Sequence, residues 1–229
     1  MVKDYITQRQ QKINDTQSRF YTTNGIHVYV QKPVENVNLA EVFHVLEEKV
    51  PKIFLDEIEM IIFGWFDEFE ERDIEAYYQD STLYVSSYHT SEDDLLESLI
   101  HEIAHATEST YGYEIYGDEK IKNEFLRKRQ HLYDILWKLN YKLPLAVFSQ
   151  IEYDQDFDEF LYKKIGYDKL DQIVAGVFIN SYAATSLREY FATAFTDFFM
   201  DSNHNFLKKI SPAVYEKILS LQDNGIDIY

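Results

Sequence analysis

The chain has no cysteine. It therefore has no disulfide framework, and no thiolate to ligate a metal, which fits a reducing compartment. Glycine and proline are scarce, at 7 and 4 of 229 residues. No glycine-rich phosphate loop and no Gly-x-Ser-x-Gly elbow is present, which argues against nucleotide enzymes and serine hydrolases of that type. Basic residues are few: 22 Lys and Arg stand against 40 Asp and Glu, a net charge of −18. So acidic a surface does not suit nucleic-acid phosphates or anionic lipid. Long hydrophobic runs are also missing. The strongest, Met60 to Phe66, is far too short to span a bilayer. Met1 to Phe20 is polar and lacks the apolar core of a signal peptide. The expectation is a soluble, cytoplasmic protein that binds neither nucleic acid nor membrane, its oligomeric state open.

What remains is rich in core-forming residues. Hydrophobic side chains make up 45% of the chain, with 19 Tyr and 16 Phe. The length fits one domain spanning 1–229. Residues 1–20 read as a polar helix or arm. Gly25 to Gln31 alternates and predicts a strand. Asn38 to Val50 predicts a helix, with Asn38 as N-cap and Glu41 three residues on. Ile58 to Trp65 reads as a buried strand and Thr82 to Ser87 as a second. Ser91 with Asp94 opens a helix expected to reach about Glu108. Further helices are expected over about 118–140, 145–176, 185–200 and 212–222. This order predicts an α+β fold: a small, mostly antiparallel sheet packed on the helix from Ser91, then a helical C-terminal lobe.

That helix carries His101-Glu102-Ile103-Ala104-His105, an H-E-x-x-H motif. Four residues advance a helix by roughly 400°, so both imidazoles share one face. Both can reach one Zn²⁺. Glu102, turned about 100° from His101, can stand beside the metal and accept a proton from its water. Catalytic zinc needs a third protein ligand. No histidine follows at metzincin spacing, since position 111 is Tyr. Glu189 is the leading carboxylate, because it is charged within the apolar stretch Leu187 to Phe195. An exposed helix carboxylate paired with Lys or Arg is the competing reading.

These residues resemble the catalytic domains of the anthrax lethal factor family, which includes the Pro-Pro endopeptidases. The likeness rests on Ile100 to Ala106 with Tyr111-Gly112-Tyr113, and on Ser181-Tyr182 with Glu189-Tyr-Phe-Ala192 and Ala194-Phe195. It covers roughly 75–113 and 178–200. The chain is also similar to metallopeptidase-like proteins of tailed bacteriophages, which would make it virion-associated. The resemblance implies a zincin-like fold, zinc held by His101, His105 and Glu189, and Glu102 as general base. It implies Tyr182, seven residues before Glu189, as the oxyanion donor. It also implies a peptide or protein substrate paired along an edge strand at Thr82–Ser87. Two departures stand out. The stretch from Glu102 to Glu189 is long, making 118–176 a helical insertion between the metal-binding helices. Position 193 is Thr where lethal factor has Glu, so Thr193, Glu108 or Asp197 would have to support the histidines.

Other residues read as structural. His89 reads as a solvated loop residue near the cleft, and His44 as a hydrogen-bonded core histidine. Asp154, Asp156 and Asp158 alternate like a calcium loop, but Glu159 replaces the required glycine, so a solvated acidic turn is expected. Two rivals to a zinc endopeptidase remain: a catalytically silent, zinc-containing structural or binding module, for example a virion component, and a zinc hydrolase of non-peptide amides.

Overall fold

Apolar residues at every second position build a sheet in the N-terminal part of the chain. A computed structural model describes residues 18–72, 74–201 and 204–226. The chain divides into two compact units, 1–106 and 107–229. The first holds β1 (Arg19–Tyr21), β2 (His27–Val30), β3 (Met60–Gly64), β4 (Ala76–Gln79) and β5 (Thr82–Ser86), in the order β1-β2-β3-β5-β4. Residues 1–17 of the expected arm lie outside the described residues; its end joins β1. Val28, Ile61 and Leu83 align across three strands, and Phe63 and Val85 across two of them. All five are fully buried, which defines the core face.

The fold is α+β, as expected. The sheet is antiparallel at both margins and parallel where β3 meets β2 and β5. The parallel centre follows from the connections. Between β2 and β3 the chain crosses over through α1 (Leu39–Lys49) and α2 (Lys52–Leu55), and crossovers give parallel neighbours. The Asn38 side chain caps α1, accepting from the Glu41 N–H at 3.4 Å. Phe43 of α1 meets Phe63 edge-on at 6.3 Å. His44 corrects its expectation: it is exposed, 3.5 Å from Glu48 one turn on.

The edge placement of Thr82–Ser87 is also corrected. β5 is an inner strand, and β4 forms the margin. After α3 (Asp67–Arg72) the chain returns as a hairpin in which Gln79 pairs with Thr82. Asp80 and Ser81 both have positive φ, 49° and 58°. That is the backbone of a type I′ turn, whose right-handed twist matches the strands it joins. The usual glycine is absent, so the turn carries no sequence signature.

Helix α4 (Glu92–Tyr116) outruns its expected end and departs from helical geometry at Tyr111, with φ −105° and ψ 22°. The second unit continues with α5 (Lys120–Lys138), α6 (Leu145–Phe148) and α7 (Gln155–Glu159). A π-helical turn over Phe160–Ile165 leads into α8 (Tyr167–Val174). A 3₁₀ turn (Tyr182–Ala184) precedes α9 (Leu187–Met200), then α10 (Asn205–Ile210) and α11 (Pro212–Ile226). The acidic turn starts α7: Asp154 accepts from the Phe157 N–H at 2.7 Å. Asp158 accepts from the Tyr153 and Tyr167 hydroxyls at 2.8 and 2.5 Å. Among the described residues, no helix is long and apolar enough to cross a membrane.

Two buried charges organise the second unit. Glu124, 6% exposed, accepts from the Tyr190 hydroxyl at 2.7 Å and from the Ala213 N–H at 3.0 Å. It thus satisfies an orphan donor at the start of α11. Arg129, 1% exposed, donates to the carbonyls of Ala184, Thr185 and Val147 at 2.7, 3.1 and 2.8 Å. Its guanidinium also lies 4.1 Å over the Phe157 ring. Burial pulls its pKa down to about 10, so it stays charged at neutral pH. Arg129→Met keeps volume but takes the donor from the buried carbonyls of Ala184 and Thr185, each worth about 1–3 kcal/mol when unpaired, whereas Val147 keeps the Gln150 N–H. Chemical denaturation is expected to show a loss of about 3 kcal/mol, relaxation sparing part of that sum. A loss below about 1 kcal/mol would mean that water replaces the guanidinium.

Candidate metal centre

The metal motif depends first on how α4 begins. The Ser91 hydroxyl accepts from the Asp94 N–H at 3.2 Å, the capping contact expected from sequence. Asp94 Oδ2 accepts from the Thr90 N–H at 2.8 Å and the Thr90 hydroxyl at 3.0 Å. The Thr90 backbone bond does most to hold the Asp94 carboxyl below the usual carboxylate range. Glu92, Asp93 and Asp94 place negative charge on the positive end of the helix. Glu92 also accepts from the Asn38 N–H at 3.1 Å, tying α4 to the cap of α1.

From that start, Leu95, Leu96, Leu99, Ile100, Ile103 and Ala104 bury one side of α4. His101 and His105 are half-buried on another side, and Glu102 is 8% exposed. The two imidazole rings sit edge to face, 5.0 Å apart. One ligand atom from each of His101, Glu102 and His105 lies within 4.8 Å of the others. Nitrogens sharing a tetrahedral zinc stand about 3.4 Å apart, which small side-chain rotations reach from here. Two imidazoles beside a carboxylate, with no thiolate, suit a borderline ion such as zinc. The three side chains could hold a metal ion.

No protein-family model, curated protein or solved structure matches the chain. The site's chemistry rests on its own residues.

Tyr182 and Glu189 belong to the second unit and act on each other there. Burial pushes the Tyr182 hydroxyl above its ordinary pKa, and the Glu189 carboxylate adds to the shift. Tyr182 thus keeps its proton as a donor through neutral pH. Glu189 is the third residue of α9, and its N–H donates to the Ser186 hydroxyl at 3.1 Å. Ser186-Leu-Arg-Glu189 has capping-box spacing, a local signal the sequence offers beside the metal reading.

The three candidates for supporting the histidines lie in the second unit. Glu108 accepts from the Tyr116 hydroxyl and, at 3.3 Å, from Arg188 Nε. It is buried and fastens the end of α4 to the first turn of α9. Thr193 is 6% exposed in the apolar body of α9. Burial, then the Asp201 charge, raises the Asp197 carboxyl.

One histidine departs from the sequence expectation. His89 is not a solvated loop residue: its side chain is fully buried. The signals for this, Glu75 and Asp94, lie far from it or across a loop in the chain, so no short pattern reveals it.

Proposed function

We propose that the chain is a zinc-dependent endopeptidase. The observation that carries this reading is the convergence of His101, Glu102 and His105 on one side of a helix whose other side is core. In this reading both histidines bind zinc. Glu189 is the third ligand, an assignment that comes from the sequence resemblance. Bound zinc would polarise the scissile carbonyl and bring the pKa of a water toward about 7. Glu102 accepts the proton of that water and passes it to the leaving amine. The Tyr182 hydroxyl donates to the developing oxyanion. Strand addition by an extended substrate falls to β4, the sheet margin, instead of β5.

Cleavage of a peptide library, with and without a chelator, tests the proposal. Chelator-sensitive cleavage is expected. A zinc-loaded protein that cleaves no peptide would leave the binding-module reading in its place, and hydrolysis of non-peptide amides alone would move the chain to another hydrolase class.

Tyr182→Phe is expected to retain zinc and substrate affinity while lowering kcat. A single oxyanion donor contributes at most about 10²–10³-fold, and one working beside a metal contributes less. The loss belongs in kcat because the hydroxyl acts where charge develops. Steady-state kinetics with a melting curve decide. Equal kcat would return Tyr182 to the packing of its 3₁₀ turn.

A further inference from the structure

A second set of ligand-bearing side chains converges in the first unit. Glu75 stands just before β4, His89 lies in the loop from β5 to α4, and Asp94 is in the first turn of α4. One ligand atom from each lies within 4.8 Å of the other two. His89 is the anomaly among them. Both ring nitrogens are buried, and Nε2 has no hydrogen-bond partner. Nδ1 faces Asp94 Oδ2 at 3.5 Å. Buried polar atoms are nearly always paired, and an exception calls for a ligand or ion.

The surroundings are built to receive one. Both Thr90 donors fix the Asp94 carboxylate, much as outer hydrogen bonds orient metal ligands. The Glu75 carbonyl accepts from the Ser86 N–H at 2.7 Å, which anchors that residue to the sheet. Its side chain is exposed and leaves an entry path. Two carboxylates stand together beside an imidazole, a set that suits a divalent cation. Imidazole favours zinc and its neighbours, while carboxylates also accept manganese.

We propose that Glu75, His89 and Asp94 form a second divalent-cation site, taking a first-row transition ion such as Zn²⁺ or Mn²⁺. Asp94 precedes His101 by two helical turns, about 10 Å along the axis. Paired catalytic ions stand about 3.5–4 Å apart. The second ion is therefore a structural clamp, joining the start of β4 to the loop and first turn of the helix that carries the motif.

The test uses the full chain carrying His101→Ala with His105→Ala, which removes the other histidine pair. The metal-stripped protein is titrated with Zn²⁺ and, separately, Mn²⁺, by calorimetry and by melting. One ion per chain and a raised Tm are expected. Adding His89→Gln or Glu75→Gln should weaken binding by at least about tenfold, since a ligand is lost. Absence of binding, or binding indifferent to both changes, overturns the proposal. So does a Tm that depends on His89 but not on the ion, which marks a protonated imidazole paired with the carboxylates. If the double variant does not fold, the exposed Glu75→Gln change serves alone: zinc in the otherwise unaltered chain should fall from two ions to one. A chain that binds one zinc, and loses it through Glu75→Gln, keeps this site and rejects the catalytic one.

Discussion

Glu102→Gln is expected to yield a folded, zinc-loaded protein whose kcat falls by about 10³-fold or more. General acid–base catalysis contributes roughly 10²–10⁴-fold. In the proposed mechanism one carboxylate both takes the proton and returns it, so the upper part of that range applies. The amide has nearly the size of the carboxylate and no basicity. Glu102 is 8% exposed, so a size-matched replacement is needed to leave the packing of α4 intact. Elemental analysis, melting and single-turnover kinetics on a cleavable peptide separate the effects. Unchanged kcat with zinc in place would show that another base does the work.

If the proposed site holds zinc, removing the ion is expected to lower Tm by about 10 °C. An ion present at about a thousand times its Kd stabilises the native state by about 4.1 kcal/mol, and each kcal/mol is worth roughly 2–4 °C in a chain of this size. His105→Ala should reproduce the loss, bind less zinc, and no longer respond to a chelator at this site. Glu189→Ala is the sharper variant. The Ser186 cap contacts the Glu189 backbone N–H, which alanine preserves. If Glu189 serves only as a capping-box carboxylate, the cost is about 1 kcal/mol with zinc content untouched. If it is a ligand, zinc content falls, and metal-free mutant and metal-free parent melt within a few degrees of each other. Unaltered zinc in both variants removes the ligand assignment.

The sequence revealed features that depend on neighbours along the chain. The Asn38 and Ser91 caps, the apolar side of α4 and the histidine spacing all lie within a few residues of one another. Each is realised where periodicity and capping chemistry put it. Features set by distant partners stayed hidden. Ala76–Gln79 is short, and its turn lacks glycine, so nothing announced that β5 would gain an outer neighbour. His44 sits in an apolar pattern yet faces solvent, because the buried side of α1 is set by Val42, Phe43 and Leu46. His89 is buried where the loop after β5 meets Glu75, a residue distant in the chain. Arg129 is fully enclosed because carbonyls from two distant segments, Val147 and Ala184–Thr185, meet its guanidinium.

The parallel centre of the sheet bears on the order in which the first unit assembles. The β4–β5 hairpin closes a two-residue turn, and such hairpins form in about 1–10 μs. Pairing β2 with β3 first requires closing a loop of about 30 residues, and closure entropy grows with the logarithm of length. The hairpin is thus the local nucleus, and α4 follows it directly in the chain. Mutations in Tyr77 or Tyr84, which stack at 4.7 Å across the hairpin, should slow folding, whereas mutations at Val28 should mainly speed unfolding. The hairpin and the helix that flank the proposed cation sites would then come together before the N-terminal strands complete the sheet.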